Sequence, residues 1–239
     1  MVSVLSSLSS SAIEQALQRL KFDGVLRSKF EVVLDFLDYS PALMPSVGRG
    51  AMAPKPGSVG YVVNLGNKFR AGRAVLAPAQ PGTAEDPLMD DILETFYGFA
   101  PAELPRAVQS HRLAMVAENL SGELLERYIA QELEPLGWVW CSGSSVRAVD
   151  FIKHTPDGRT EWHALQVKSR NNTENSSSSA IRKGTDISKW WRFHAKKGRT
   201  NWDSFPVEAA GTLSEEGFRA YVRAAGEKFA SKSRSEVSL

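Results

Sequence analysis

The sequence predicts an α/β chain: a mixed central β-sheet flanked by helices, preceded by a helical, loop-rich N-terminal region. Three observations predict it. Strand-like runs WVW (138–140), VDFI (149–152) and EWHALQVK (161–168) follow one another behind a strong helical pattern over residues 121–136. Apolar residues recur at helical spacing near both ends of the chain. The composition is that of a globular protein, 42% hydrophobic and 23% charged over 239 residues, enough for one large core or a core with a smaller appendage.

The elements follow in order. Ile13, Leu17 and Leu20, then Phe30, Val33, Leu34 and Leu37, predict two helices. From Ser40 to Gly82 the density of Pro and Gly predicts loops and short strands, with GYVVNL at 60–65 as a strand-like island. DPLMDDILETFY (86–97) predicts an acidic, half-buried helix with Leu88, Ile92, Leu93 and Phe96 on one stripe behind a first-turn proline. A stronger helix starts at Ser121 as candidate cap and stops at Pro135 to Gly137. After the strands 138–140 and 149–152, TPDGR (155–159) is a turn signal leading into the third strand. SRNNTENSSSS (169–179) is low-complexity and reads as an exposed loop, DISKWWRFHA (186–195) as a helix, and Ser214 to Phe229 as a last helix burying Phe218, Tyr221, Val222 and Phe229.

Several classes are excluded. The lone Cys141 makes no internal disulfide and no thiolate cluster, which suits a reducing cytoplasm, and reads as a small buried residue. His111, His154, His163 and His194 lack metal-ligand spacing, and Gly57, Gly60 and Gly66 lack the lysine and hydroxyl of a phosphate loop. No apolar stretch approaches a membrane span of about 20 residues, and no leader pattern opens the chain. Net charge is only +2, but its distribution is uneven. Residues 84–136 hold eleven acids against three bases, and residues 166–202 hold nine bases against two acids.

The third strand carries the chemistry. Strand side chains alternate, so Gln166 and Lys168 share a face with Ala164, while Leu165 and Val167 point the other way. Asp150, on the preceding strand, comes within reach of that face, and Glu126 reaches in from the helix. Hydrolysis of a phosphodiester needs a positioned water and shielding of phosphate charge. Mg2+ prefers oxygen ligands of the kind Asp150 and Gln166 offer, and Lys168 can orient the water or offset charge on the phosphate. A hairpin whose surface merely displays Asp, Gln and Lys is the bland alternative.

GELLERYIAQELEPLGW, VRAVDFI and LQVKSR together resemble the core of the PD-(D/E)xK nucleases, and of type II restriction endonucleases in particular, over about residues 115–170. The LLERYI, GW and RAVDF runs further resemble the SinI type of restriction enzyme. The resemblance implies a PD-(D/E)xK restriction-endonuclease-like core. In it Glu126, Asp150 and Gln166 bind Mg2+, and Lys168 activates water. The chain departs from the family pattern at Val149, where proline is usual, and at Gln166, where a carboxylate is usual. Some members of the family carry an amide at that position and remain active, and Glu126, or less readily Glu123, would supply the missing charge.

The segment AIRKGTDISKWWRFHAKKGRTNW (180–202) interleaves seven bases with three tryptophans and one acid, a mixture suited to duplex DNA. The candidate DNA contacts are Asn171, Asn172, Arg182, Lys183, Lys189, Arg192, Lys196, Lys197, Arg199 and Asn201. Whichever of Trp190 and Trp191 faces inward is expected to be core. The resulting expectation is a region 1–110 ahead of a nuclease core 111–239, whose recognition segment is 169–205. The resemblance implies a prokaryotic cytoplasmic homodimer that cuts a palindromic duplex site, with a DNA methyltransferase as genetic partner. Two alternatives stand beside it: a structure-specific repair or junction nuclease, and a catalytically inactive DNA-binding protein of the same fold.

Overall fold

The structure is a computed structural model, and it describes residues 8–48, 53–74, 78–79, 81–82, 84, 86–156, 160–171, 185–206 and 211–237. The chain divides into two compact units: Met1–Val75 with Glu126–Tyr221, and Leu76–Leu125 with Val222–Leu239.

The larger unit is built on helices α1 (Ser10–Leu20), α2 (Gly24–Tyr39) and α3 (Val59–Gly72) and on a five-stranded sheet. Its strands are β1 (Val139–Trp140), β2 (Phe151–Pro156), β3 (Thr160–Arg170), β4 (Ile187–His194) and β5 (Arg199–Thr200), adjacent in that order. β1, β2 and β3 run antiparallel, β3 and β4 parallel, and β4 and β5 antiparallel, so the sheet is mixed as expected. Asp23 caps α2 by accepting the Leu26 N–H at 2.8 Å. Ser58 caps α3 by accepting that of Tyr61 at 3.2 Å.

Register decides which side chains share a face. Ile152 pairs with Ala164, and Ala164 with Ile187. That face packs on the main core formed by α1, α2 and α3, with Phe30, Val33, Leu37, Leu65 and Phe69 fully buried. The other face carries Phe151, Leu165, Val167 and Trp190. Trp190 stacks on Trp202 and Phe205, and Trp202 meets Tyr128 and Phe218. Both faces are therefore covered.

One junction needs two glycines. The end of α3 lies against the turn at Ser142–Ser144 so closely that a Cβ on Gly72 would meet the backbone of Gly143. One on Gly143, which has φ +65°, would meet the carbonyl of Lys68. The Ser142 hydroxyl donates to the Phe69 carbonyl at 2.7 Å across the same contact. Nearby, Glu134 ties the unit together, accepting from Lys29 of α2 at 2.5 Å and pairing with Arg73 at 2.7 Å.

The structure corrects five expectations. GYVVNL is the start of α3, not a strand: Ser58 caps it, and Val62, Leu65 and Phe69 continue one helical stripe. DISKWWRFHA is β4, not a helix, because its backbone pairs with β3 along its length and β5 at its end. The helix expected from Ser121 is α5 (Leu104–Leu133), which starts well upstream. α4 (Leu88–Tyr97) is a helix as expected but buries no residue. The last helix, α6 (Glu215–Val237), buries Phe218, whereas Phe229 is 36% exposed.

Candidate active site

The site forms where β2 separates from β3. The last regular pair is Phe151 with Leu165. One residue earlier the ladder changes: the Asp150 N–H donates to the Leu165 carbonyl at 2.9 Å, and the Asp150 carbonyl accepts from Cys141 N–H at 2.8 Å. The carboxylate takes over where the ladder ends, Oδ2 accepting the Val167 N–H at 2.7 Å. Asp150 is thereby fixed against the backbone between Gln166 and Lys168.

The approach to Asp150 is strained. Ala148 holds φ +57° without being glycine, and Arg147 is pinned by its N–H to the Leu43 carbonyl at 2.9 Å. Asp150 itself is half-buried. Burial raises the Asp150 carboxyl to about 6, while the Val167 N–H and the Lys168 charge work against that rise. At neutral pH the group is mainly a carboxylate, held by the Val167 N–H.

Gln166 is buried, 2% exposed, on the face it shares with Ala164 and the half-buried Lys168. Across the parallel ladder Gln166 lies beside Lys189, and Lys168 beside Trp191, which extends the polar face onto β4. Glu126 is joined to the sheet through Trp140, whose indole N–H donates to its Oε2 at 3.0 Å. Asp150, Glu126 and Glu134 all act electrostatically on the buried Cys141, whose thiol burial pushes far up and out of use as a nucleophile.

The donor set is one of hard oxygens: a carboxylate, an amide oxygen and a second carboxylate attached to β1. That set fits Mg2+, which takes one or two carboxylates and completes its shell with water and substrate oxygens. Among the described residues no group of three or more His, Cys, Asp or Glu is placed to hold a metal by itself.

The basic segment separates into two kinds of residue once it is a strand. Arg192 donates to both oxygens of Glu215 at 2.8 Å. The Asn201 amide donates to the Trp191 carbonyl at 3.2 Å. Asn171 accepts the Ala195 N–H at 2.9 Å and lies 3.2 Å from the His194 ring nitrogen. These three hold the β4–β5 hairpin in shape. Lys196, Lys197 and Arg199 are exposed on that hairpin, and Lys189 lies on the Gln166 face. Asn172, Arg182 and Lys183 lie outside the described residues. Of the neighbours Trp190 and Trp191, Trp190 is the core residue. Sequence reasoning passed over Arg170, which follows Lys168 by two positions on the same face, a spacing that could have flagged it.

A mixed sheet flanked by helices, with an acid at a strand fork and an amide-x-lysine pair on the next strand, defines the restriction-endonuclease-like class of nuclease. The chain belongs within it to the SinI restriction endonuclease family, whose model matches residues 12–227. The type II restriction enzyme Eco47I of Escherichia coli is 43% identical over 213 residues, 87% of this chain and 92% of that protein. The type II restriction enzyme SinI of Salmonella infantis is 40% identical over 212 residues, with the same coverage of 87% and 92%. Membership places the chain among site-specific endodeoxyribonucleases of restriction systems.

Proposed function

We propose that the chain cuts double-stranded DNA at a specific sequence as a type II restriction endonuclease, with Mg2+ held by Asp150 and Gln166 and supported by Glu126. The observation that carries this reading is the 2.7 Å bond from the Val167 N–H to Asp150, which brackets Gln166 and Lys168 with a carboxylate. Bound there, Mg2+ would shield phosphate charge and favour ionisation of a water. Asp150 supplies a fixed negative oxygen, and its rigid attachment to β3 keeps that oxygen in place during the reaction. Gln166 presents an amide oxygen on the same face. Lys168 directs its ammonium toward the phosphate and the attacking water.

The test is digestion of unmethylated plasmid DNA with Mg2+, with and without chelator. Discrete fragments that vanish with chelator are expected. Structure-dependent nicking, or binding without any cleavage, would favour one of the two alternatives. No helix among the described residues is long and apolar enough to cross a membrane. A cytoplasmic enzyme in a prokaryote, protected by a partner DNA methyltransferase, completes the reading.

A homodimer reading a two-fold site belongs to the same proposal. Its support is a group of exposed apolar side chains on the smaller unit: Leu88 57%, Phe96 79%, Tyr97 72%, Leu113 50% and Met115 56% exposed. Large side chains of this kind cover roughly 150–250 Å2 each when aromatic. A standard interface buries ~800 Å2 per partner. The acids Asp90, Asp91 and Glu94 on α4 make this surface unsuited to DNA. Sedimentation should show twice the chain mass, and Phe96→Glu should shift it to the monomer.

A further inference from the structure

Trp140, 5% exposed on the two-residue strand β1, is held from several sides. Its carbonyl accepts from Arg73 at 2.7 Å, and its main-chain N–H donates to Glu134 Oε1 at 3.4 Å. The Arg73 and Arg127 guanidinium groups lie 5.3 and 5.4 Å from the centre of its ring, within reach of cation–π attraction. Both arginines are anchored in turn, Arg73 by Glu134 and Arg127 by the Gly72 carbonyl at 2.8 Å.

The only polar atom of this caged side chain is its indole nitrogen, and its N–H donates to Glu126 Oε2 at 3.0 Å. A glutamate side chain turns about several bonds, and the half-buried Glu126 would otherwise sample more than one rotamer. A hydrogen bond from an immobile donor to a charged oxygen is strong and selects one orientation before any ligand arrives.

The place of Trp140 in the sheet gives that orientation a purpose. Trp140 pairs with Phe151, and the next residue, Cys141, donates its N–H to the Asp150 carbonyl at 2.8 Å. The indole thus ties Glu126, on α5, to the strand pair whose end carries Asp150. We propose that Trp140 is a positioning residue for metal binding: its indole N–H holds the Glu126 carboxylate in the orientation that supports Mg2+ beside Asp150. This rests on the nuclease reading and adds to it the part that lets a helix glutamate serve a site built on strands.

The test pairs Trp140→Phe, which keeps an aromatic ring between the two arginines and removes the N–H, with Glu126→Ala, which leaves nothing to orient. Each single variant should raise the Mg2+ concentration for half-maximal plasmid cleavage about tenfold. The double variant should need no more than Glu126→Ala alone, because Trp140 acts only through Glu126. Effects that multiply in the double variant would make Trp140 a packing residue and overturn the proposal. So would a Trp140→Phe variant with a lowered melting temperature and an unchanged Mg2+ requirement.

A second readout is independent of cleavage and of whether Trp140→Phe is stable enough to assay. Of the indole N–H resonances of the six tryptophans, the one absent from Trp140→Phe belongs to Trp140. Excess Mn2+, a paramagnetic stand-in for Mg2+, should broaden that resonance in the wild type, and markedly less in Glu126→Ala. A Trp140 resonance left sharp by Mn2+ in a protein that cuts DNA would overturn the positioning role alone. Failure of the wild type to cut any duplex is a different result, and removes the nuclease reading and the proposal together.

Discussion

Asp150 and Val167 are joined by a bond in which a strand amide donates to a side chain, 2.7 Å from N to Oδ2, at the point where the β2–β3 ladder ends. An asparagine at 150 could still accept that amide hydrogen through its side-chain oxygen. Asp150→Asn should therefore fold and melt close to wild type while losing the negative ligand. Plasmid cleavage should fall by at least a factor on the order of 10^2–10^3, with DNA binding in chelator retained. A variant that cuts at a near-normal rate would remove Asp150 from the chemistry.

Gln166 is the position at which the chain departs from the usual carboxylate. Gln166→Glu restores that charge on the same buried face. The Mg2+ concentration giving half-maximal cleavage should drop, since an added carboxylate strengthens a hard-cation site. Metal titrations of the cleavage rate measure this directly. Loss of activity without a drop in that concentration would mean that the amide N–H, rather than its oxygen, is the working group.

Two single substitutions probe the backbone around the site in opposite directions. Gly143→Ala puts a Cβ onto the Lys68 carbonyl at φ +65°, so it should destabilise the chain by about 1–3 kcal/mol. Ala148→Gly relieves a residue held at φ +57° and should stabilise by up to ~1 kcal/mol, once the extra flexibility of unfolded glycine is subtracted. Urea unfolding of the pair checks both signs.

Glu134 should make the fold acid-sensitive. Burial favours its protonated form, but hydrogen bonds from Arg73 and Lys29, with their charges, more than offset this and hold its carboxyl below the ordinary value. A depressed folded pKa gives stability that is fully present above the unfolded value of about 4.3 and lost as pH falls through the folded one. Glu134→Gln should be less stable at pH 7. Its deficit relative to wild type should shrink as the pH drops below about 4, as read from melting curves at several pH values.

Much of the fold could be read from residues whose periodicity reports burial on one side. α1, α2, β2 and β3 fall into that group, and so does the placing of Asp150 beside Gln166 and Lys168. The misreadings share a cause. GYVVNL opens on a run of aromatic and β-branched residues that favours a strand, so the helical period of α3 could be recognised only by following it to Phe69. In β4 both faces are also packed, with Trp190 inward on one side and Trp191 half-buried on the other, and the alternation that marks a strand disappears. The N-terminal half of α5 lacks a buried stripe that would have announced it, as its exposed Leu113 and Met115 show. Glu215, which organises three side chains, gave no signal because Arg192 and Trp202 lie far from it in sequence.

The amide at 166 has a consequence for the order in which the site assembles. Beside it Asp150 and Lys168 nearly cancel, so a divalent cation would draw the rest of its negative oxygens from Glu126 and from the DNA itself. Cation and DNA should then be thermodynamically linked, each tightening the other by the same factor. Away from DNA the site should rest largely without its metal and unable to hydrolyse, a safeguard for a nuclease that shares a cell with a genome.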